Sequence, residues 1–209
     1  MKILIINTHL TYPGWSEGKL NLAFMDLAKA FFVERGHQVA ETFVERGYDP
    51  EEEVKKHAAA DLVILQTPVN WFSAPWIYKK YVDEVFNVGL AKEVLLAGDG
   101  RTRQDPSRQY GTGGKMQGKK FMISATWNAP REAFDNPTAN YTAARERMIC
   151  SSISPPTTNS AATTFSRIME RSMSSRGTPT SRARWKITSG IWRNTAWPVS
   201  LFHSEVSLT

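Results

Sequence analysis

Residues 62–76 read Leu-Val-Ile-Leu-Gln-Thr-Pro-Val-Asn-Trp-Phe-Ser-Ala-Pro-Trp, and this stretch decides the fold of the chain. Its first four residues are apolar, which is typical of a strand that is buried on both faces. Residues 77–86 follow with a helical pattern, and Pro75 stands near the first turn. Open α/β sheets bind ligands beyond the carboxyl ends of their strands. Trp71 and Phe72 come directly after the strand, so they either stack on a flat aromatic ligand or pack against a neighbouring loop.

The same alternation of strand and helix extends on both sides of this unit. Further strands are predicted at residues 2–7, 38–44 and 120–126. The resulting order is β-α-β-α-β-α, a long loop, then β. This order predicts a doubly wound parallel sheet with right-handed crossovers.

Capping signals mark the ends of the first two helices. Ser16 is the candidate N-cap of the first helix, and Gly36 is its expected left-handed terminator. Asp49, Pro50 and Glu52 together form a strong helix start, with the acidic residues at the positive end of the dipole.

Charge is distributed unevenly along the 209 residues. The net charge is +6, yet residues 1–137 carry 17 Lys+Arg and 17 Asp+Glu and are neutral. Residues 138–209 carry 9 Lys+Arg and 3 Asp+Glu, together with 13 Ser and 11 Thr. No helical or strand period is sustained in this tail. We therefore expect residues 138–209 to be irregular and the sheet to lack its last strand and helix.

Composition excludes several classes of protein. The single Cys150 excludes an internal disulfide framework, and no apolar run approaches the ~18 residues of a membrane span. We expect a cytoplasmic protein. A basic charge confined to the tail is weak support for a nucleic-acid partner, so no nucleic-acid partner is expected.

The obvious nucleotide and metal motifs fail on inspection. Residues 111–115 suggest a phosphate loop, but Met116 stands where Ser or Thr would bind Mg²⁺. No G-x-G-x-x-G follows the first strand. The four histidines, at positions 9, 37, 57 and 203, lack metal-ligand spacing, so no metal site is predicted.

Three loops remain, and a parallel sheet would place them at one edge. The first leads into the helix after Ser16, where backbone N–H groups and Gly18 suit a phosphate, although ordinary helix capping explains them as well. The second is residues 68–72 and the third is residues 126–129. An anion site beside aromatic walls favours a flavin.

Several stretches carry a resemblance to a known family. They are residues 3–7, 16–21, 74–76, 79–81, 99–103, 105–107, 110–111, 113–114, 117–120 and 126–130. Through them, residues 1–137 resemble the flavodoxin-like NAD(P)H:quinone oxidoreductases, in the branch called modulator of drug activity B. Val69 and Asn70 depart from the family's pattern, in which a glycine and an aromatic residue stand at these positions.

The resemblance implies a reaction and a set of site residues. It implies FAD, a homodimer, and two-electron ping-pong hydride transfer from NAD(P)H through flavin N5 to a quinone. Tyr110 would be catalytic, reaching the flavin or the quinone. The FAD phosphates would be held by Ser16, Glu17, Gly18, Lys19, Leu20 and Asn21. The isoalloxazine would be framed by Val69, Asn70, Trp71, Phe72, Thr126, Trp127, Asn128 and Ala129.

The tail departs from that family after Pro137. A shift of the reading frame near this residue would explain the departure, because the shifted frame permits a string similar to the family's late segment. Three alternatives follow from the tail and the site. The chain is an inactive truncated or frameshifted member, a flavin-binding accessory subunit, or a protein whose basic tail binds RNA.

Overall fold

The computed structural model describes residues 1–128 and, for their backbone alone, residues 163–170. Eight helices and strands make up these parts, with one short 3₁₀ turn at Val44–Arg46. The strands are β1 (Lys2–Asn7), β2 (Gln38–Phe43), β3 (Leu62–Pro68), β4 (Lys120–Trp127) and β5 (Thr163–Glu170). The helices are α1 (Lys19–Val33), α2 (Pro50–Ala59) and α3 (Trp76–Ala91).

The strands form one sheet in the order β2-β1-β3-β4-β5, and every neighbouring pair is parallel. The chain leaves β1 for β2 on one side and then crosses to β3 on the other. The strand order therefore reverses between β1 and β3, where doubly wound sheets form their ligand crevice. The predicted parallel α/β fold is confirmed.

Helices cover both faces of the sheet. On one face, Ile3, Ile5 and Ile64 pack against Met25 and Phe32 of α1. On the other, the alternate strand residues pack against α2 and α3, in a cluster that includes Leu4, Ile6, Leu65, Tyr81 and Val85. Both faces of β1 and β3 are buried, which explains why these strands read as unbroken apolar runs.

A buried polar network joins α2 to α3 on the second face. The Glu53 carboxylate accepts hydrogen bonds from Tyr81 OH at 2.8 Å, from Thr42 Oγ1 at 2.8 Å and from Lys56 Nζ at 2.6 Å. His57 Nε2 lies 3.0 Å from Tyr81 OH. Burial lowers the pKa of His57 to about 4, so the imidazole is neutral at physiological pH.

The helix ends confirm one capping prediction and correct another. Asp49 caps α2 as expected, accepting from Glu52 N–H at 3.0 Å, and Gly36 adopts the expected left-handed φ of 75°. Ser16 is not the cap of α1, because the helix begins at Lys19 with Gly18 as its N-cap. The Ser16 backbone pairs instead with Tyr12, which delays the helix until the chain has turned at Gly18.

The tail contributes a strand where none was expected. Thr163–Glu170 pairs in parallel with β4 and completes a five-stranded sheet. An unpaired β4 would leave a row of N–H and C=O groups on the sheet edge, and any extended segment within reach can satisfy them. The predicted absence of a last helix concerns residues outside those that the structure describes.

Candidate functional site

Buried hydrogen bonds tie together the carboxyl ends of β3 and β4 and the start of α1. Gln66 Nε2 donates to Asn21 Oδ1 at 2.8 Å, and Asn21 Nδ2 donates to Thr126 Oγ1 at 3.3 Å. All three side chains are buried. Thr8 N–H, just beyond β1, donates to Gln66 O at 3.0 Å. The loops that follow β1, β3 and β4 therefore meet at one edge of the sheet, as the sequence predicts.

The first loop folds into a tight turn before α1. Backbone hydrogen bonds join Tyr12 and Ser16 in both directions, at 3.0 and 2.9 Å. The Glu17 carboxylate accepts from Gly14 N–H at 2.8 Å. A cleft of about 380 Å³ opens beside this turn, and residues 16–21 all line it. The six residues predicted to hold phosphates are thus brought together.

His9 belongs to this cleft and was not predicted as a site residue. Its ring is buried, its Nε2 lies 3.1 Å from Ser16 Oγ, and its backbone N–H donates to Asn7 Oδ1. Burial is the largest influence on the pKa of His9 and lowers it, against the opposing effects of Glu45 and Glu17. The sequence offers one signal for such a role, which is the position of His9 two residues beyond the end of the first strand.

Gly18 leaves room for that imidazole. Its φ is +75°, and a Cβ placed there would lie 2.6 Å from His9 Nδ1. A side chain at position 18 would therefore meet both backbone strain and a steric clash. The absence of a side-chain cap at Gly18 also leaves the first N–H groups of α1 facing the cleft without a capping oxygen.

The second loop places two aromatic residues in an unusual backbone conformation. Trp71 and Phe72 have φ values of 48° and 67°, and Asn70 and Ser73 on either side exchange backbone hydrogen bonds at 2.8 and 3.0 Å. Left-handed φ at a bulky residue costs about 1–3 kcal/mol and persists only where its surroundings impose it. The Trp71 side chain is 94% exposed. The turn therefore holds a large aromatic surface out at the edge of the sheet.

The third loop follows β4 and is tied to the second. Val69 N–H donates to Thr126 O at 2.8 Å, so the two loops leave the sheet side by side. Trp127 is partly buried and packs on the hydrophobic core, while Asn128 is exposed. Ala129, the last predicted residue of this loop, lies outside the residues that the structure describes.

Tyr110 is the predicted residue that the structure does not join to the three loops. It lies on the long segment between α3 and β4, and its side chain is 76% exposed. Its ring lies 5.4 Å from the Arg101 guanidinium carbon, within the same segment. Its predicted catalytic role stays a prediction.

Within residues 1–128 and 163–170, three or more His, Cys, Asp or Glu side chains nowhere gather in a way that could hold a metal ion. Over the same residues, every helix is too short or too polar to cross a membrane.

A reversal of strand order, a cleft at a helix start and exposed aromatics at the same edge are features of the ligand-binding edge of doubly wound α/β proteins. Residues 1–148 match the model of the family described as having a flavodoxin-like fold. The chain belongs to this family.

Two curated relatives match nearly the same part of the chain. The NADPH:quinone oxidoreductase MdaB of Haemophilus influenzae is 46% identical over 134 residues, which are 64% of this chain and 68% of the relative. An uncharacterized protein of Schizosaccharomyces pombe is 43% identical over 135 residues, which are 65% of this chain and 67% of the relative. The match thus spans about two thirds of each relative.

A solved structure shows the same fold at low sequence identity. The azoreductase of Bacillus anthracis has a TM-score of 0.50 and 13% identity, and the alignment covers 79% of this chain and 86% of the azoreductase. At that identity the likeness concerns the fold alone.

Proposed function

We propose that this protein is an FAD-dependent NAD(P)H:quinone oxidoreductase of the cytoplasm. The buried hydrogen bonds of Asn21 with Gln66 and Thr126 carry the proposal, because they assemble three loops into one site at the sheet edge. The 46% identity to an NADPH:quinone oxidoreductase supports it.

The residues around the first cleft fit the phosphates of FAD. The uncapped N–H groups of α1 can donate to phosphate oxygens, and the positive end of the helix dipole favours anions. Ser16 and the buried His9 add side-chain hydrogen-bonding groups. Glu17 is engaged with Gly14 N–H, which ties its carboxylate to the turn. Buried Thr8 Oγ1 lies just beyond β1 but does not line this cleft, and among the described residues it is the buried side-chain oxygen without a hydrogen-bond partner.

The second and third loops fit a flat ring. Trp71 offers an exposed indole face, and the hydrogen bond between Val69 and Thr126 fixes the distance between the two loops. Neutral aromatic walls can stack an isoalloxazine without adding charge beside it. Trp71 and Phe72 would orient the ring, and Thr126, Trp127, Asn128 and Ala129 would close its far side.

When bound, FAD would supply the chemistry, taking two electrons from NAD(P)H and passing them to a quinone in a ping-pong cycle. The chain's own residues bind, orient and shield. The buried Asn21, Gln66 and Thr126 keep the loops in register, and Tyr110 would contact the flavin or the quinone.

A homodimer is part of the same proposal. Large aromatic side chains are exposed on the loops at the sheet edge, with Trp15 at 75% and Trp71 at 94% exposure, and Trp76 at the start of α3 is 63% exposed. Burial of such a surface by a second copy would be favourable at about 25 cal/mol per Å². Multi-angle light scattering of the purified protein should give twice the chain mass; a monomer at micromolar concentration would count against the dimer.

Residues 1–137 form the flavin-binding domain in this proposal, and residues 138–209 form the tail, whose strand Thr163–Glu170 joins the sheet of that domain. Sequencing of the nucleotides around codon 137 tests whether the tail arose by a frame shift. A shifted frame that does not encode the family's late segment would end that explanation, and the inactive or accessory alternatives would lose their main support.

Flavin binding is the first test of the function. Purified full-length protein should absorb at about 375 and about 450 nm, and the absorbance should correspond to about one flavin per chain. Chromatography of the released flavin should identify FAD. A protein that binds FMN in preference to added FAD would contradict the choice of cofactor.

The Trp71 side chain provides the matched variants for the activity. Trp71→Asn tolerates a left-handed φ but removes the indole, whereas Trp71→Phe keeps an aromatic face. Loss of stacking worth about 0.5–1.5 kcal/mol should weaken flavin binding about two- to tenfold in Trp71→Asn and less in Trp71→Phe.

Steady-state assays with NAD(P)H and a quinone should give parallel double-reciprocal lines; intersecting lines would argue against the ping-pong cycle.

A further inference from the structure

Trp15 lines the cleft at the start of α1, which we name the α1 cleft, but the proposed flavin contacts do not include it. The residues proposed to hold the FAD phosphates, 16–21, follow Trp15 directly in the chain and line the same cleft. The Trp15 side chain is 75% exposed. A large apolar face that is open to water beside a candidate phosphate site is a place where a flat ring can stack.

The turn that carries Trp15 is tied to the rest of the fold, and the indole is held within it. Thr11 N–H and Oγ1 donate to the Glu45 carboxylate at 2.8 and 2.9 Å, which anchors the start of the turn. The Trp15 ring lies against the Tyr12 ring, with 4.8 Å between the ring centroids and 31° between the planes. Trp15 N–H also donates to Tyr12 O at 3.2 Å. A side chain that is already ordered loses little conformational entropy when a second ring stacks on it.

The α1 cleft has room for more than the phosphates. Its volume of about 380 Å³ falls within the ~300–1,000 Å³ of small-molecule sites. Outside residues 16–21, it is lined by His9, Gly14 and Trp15. The His9 ring is buried and Gly14 has no side chain, so Trp15 supplies the exposed ring of this part of the cleft. In FAD, the adenosine is attached to the end of the pyrophosphate that is farther from the isoalloxazine, and it therefore needs a contact next to the phosphates.

We propose that the indole of Trp15 stacks on the adenine ring of the bound dinucleotide and is the residue that holds the adenosine half of FAD. The inference rests on the proposed function, because it takes the phosphates to lie at the start of α1. Stacking of a base on an aromatic side chain requires only the two flat faces, so it needs no hydrogen-bond partner for the base. Trp15 is then a binding residue, and its contact lies apart from the reacting isoalloxazine.

The chain offers matched variants for this contact. Trp15→Ala removes the stacking face, and Trp15→Phe keeps a smaller aromatic face in its place. Trp76→Ala is the control, because Trp76 is also a largely exposed tryptophan, at 63%, but does not line the α1 cleft. Since both side chains are exposed, all three variants should fold, and thermal unfolding of the flavin-free proteins checks this.

The first test compares the binding of FAD and FMN, because FMN lacks the adenosine. Titration of the flavin-free full-length protein, followed by flavin fluorescence, gives both dissociation constants for each variant. In Trp15→Ala the Kd for FAD should rise about 5- to 150-fold, while the Kd for FMN stays within about twofold. Trp15→Phe should keep most of the FAD affinity, and Trp76→Ala should leave the ratio of the two constants within about twofold. An equal loss for both flavins, or unchanged FAD affinity in Trp15→Ala, would overturn the assignment.

The second test needs neither flavin nor activity. Adenosine 5′-monophosphate and ribose 5-phosphate differ in the adenine, so calorimetry with these two ligands on the flavin-free protein isolates the stacking contact. The wild type should bind the adenosine compound at least about fivefold more tightly, and Trp15→Ala should abolish most of that difference. Failure of the wild type to distinguish the two ligands would refute the contact. This preference in a protein that binds neither flavin would refute the proposed function and leave the adenine contact standing.

Light scattering of the same variants separates the adenine contact from the dimer interface. Trp15→Ala should keep the oligomeric state of the wild type in the presence of FAD. Loss of a dimer in Trp15→Ala, with the preference for FAD and for the adenosine compound unchanged, would assign the indole to the interface and overturn the inference.

Discussion

Replacement of Gln66 by Leu removes the donor that holds Asn21 at the start of α1. The hydrogen bond is 2.8 Å long, and without it Asn21 Oδ1 keeps only a longer contact, 3.4 Å from the Thr126 hydroxyl. Asn21 is 4% exposed. A buried polar group left without its partner costs about 1–3 kcal/mol. Asn21→Leu should cost more, about 2–5 kcal/mol, because it strands both Gln66 and Thr126.

The double variant, with Gln66→Leu and Asn21→Leu together, distinguishes the effect of the lost hydrogen bond from the effect of changed packing. With both positions apolar, the Asn21–Gln66 pair leaves neither partner stranded, and the double variant should be more stable than the sum of the single effects by at least about 1 kcal/mol. Urea unfolding of the flavin-free full-length protein measures the three free energies. Asp26→Asn, exposed on the same helix, is the control and should change stability by less than about 0.5 kcal/mol.

The same variants test the link between this hydrogen-bond network and ligand binding. If the network sets the spacing of the three loops, the single variants should lose flavin affinity at a denaturant concentration where they remain folded. Strictly additive stabilities would refute the reasoning about the buried pair. Unchanged flavin affinity in Asn21→Leu would refute the claim that the pair organises the site.

Two shorter predictions concern His57 and Gly18. The pKa of His57 is about 4 in the folded protein, whereas the unfolded chain binds the proton near pH 6.5. The free energy of unfolding should therefore fall by up to about 3 kcal/mol as the pH is lowered from about 6.5 to about 4. In His57→Gln, thermal unfolding should depend less steeply on pH over this range. Gly18→Ala should lose more stability and flavin than Gly14→Ala, since both have positive φ but the Gly18 Cβ alone meets His9; equal losses would exclude the clash as the cause.

The fold could be read from the sequence because its signals are local and agree with one another. The apolar run at residues 2–7 matches β1 to the residue, and Asp49 with Pro50 starts α2 as expected. β3 and α3 extend beyond their predicted ends, to Pro68 and Ala91. The residues at which a strand or helix ends depend on how neighbouring segments pair and pack with it, and a local residue pattern carries no information about those segments.

The misses share a physical cause, which is competition from partners that a local residue pattern does not reveal. Ser16 has the chemistry of a cap, but its backbone pairs with Tyr12 and its hydroxyl meets His9. His9 looks like an unremarkable loop residue until Gly18 packs on its ring. Thr163–Glu170 lacks a strand period, and the free edge of β4 nevertheless gives it a partner.

The sequence identifies the types of residue at the candidate site, but it does not predict their backbone geometry. Aromatic residues after β3 are visible in the sequence, but the left-handed turn at Trp71 and Phe72 is not, because neither residue favours positive φ. Strain there and the stranded Thr8 hydroxyl both lower the stability of the flavin-free protein. Under the proposed function, a flavin that binds the folded chain and not the unfolded chain should offset part of this cost and raise the unfolding temperature.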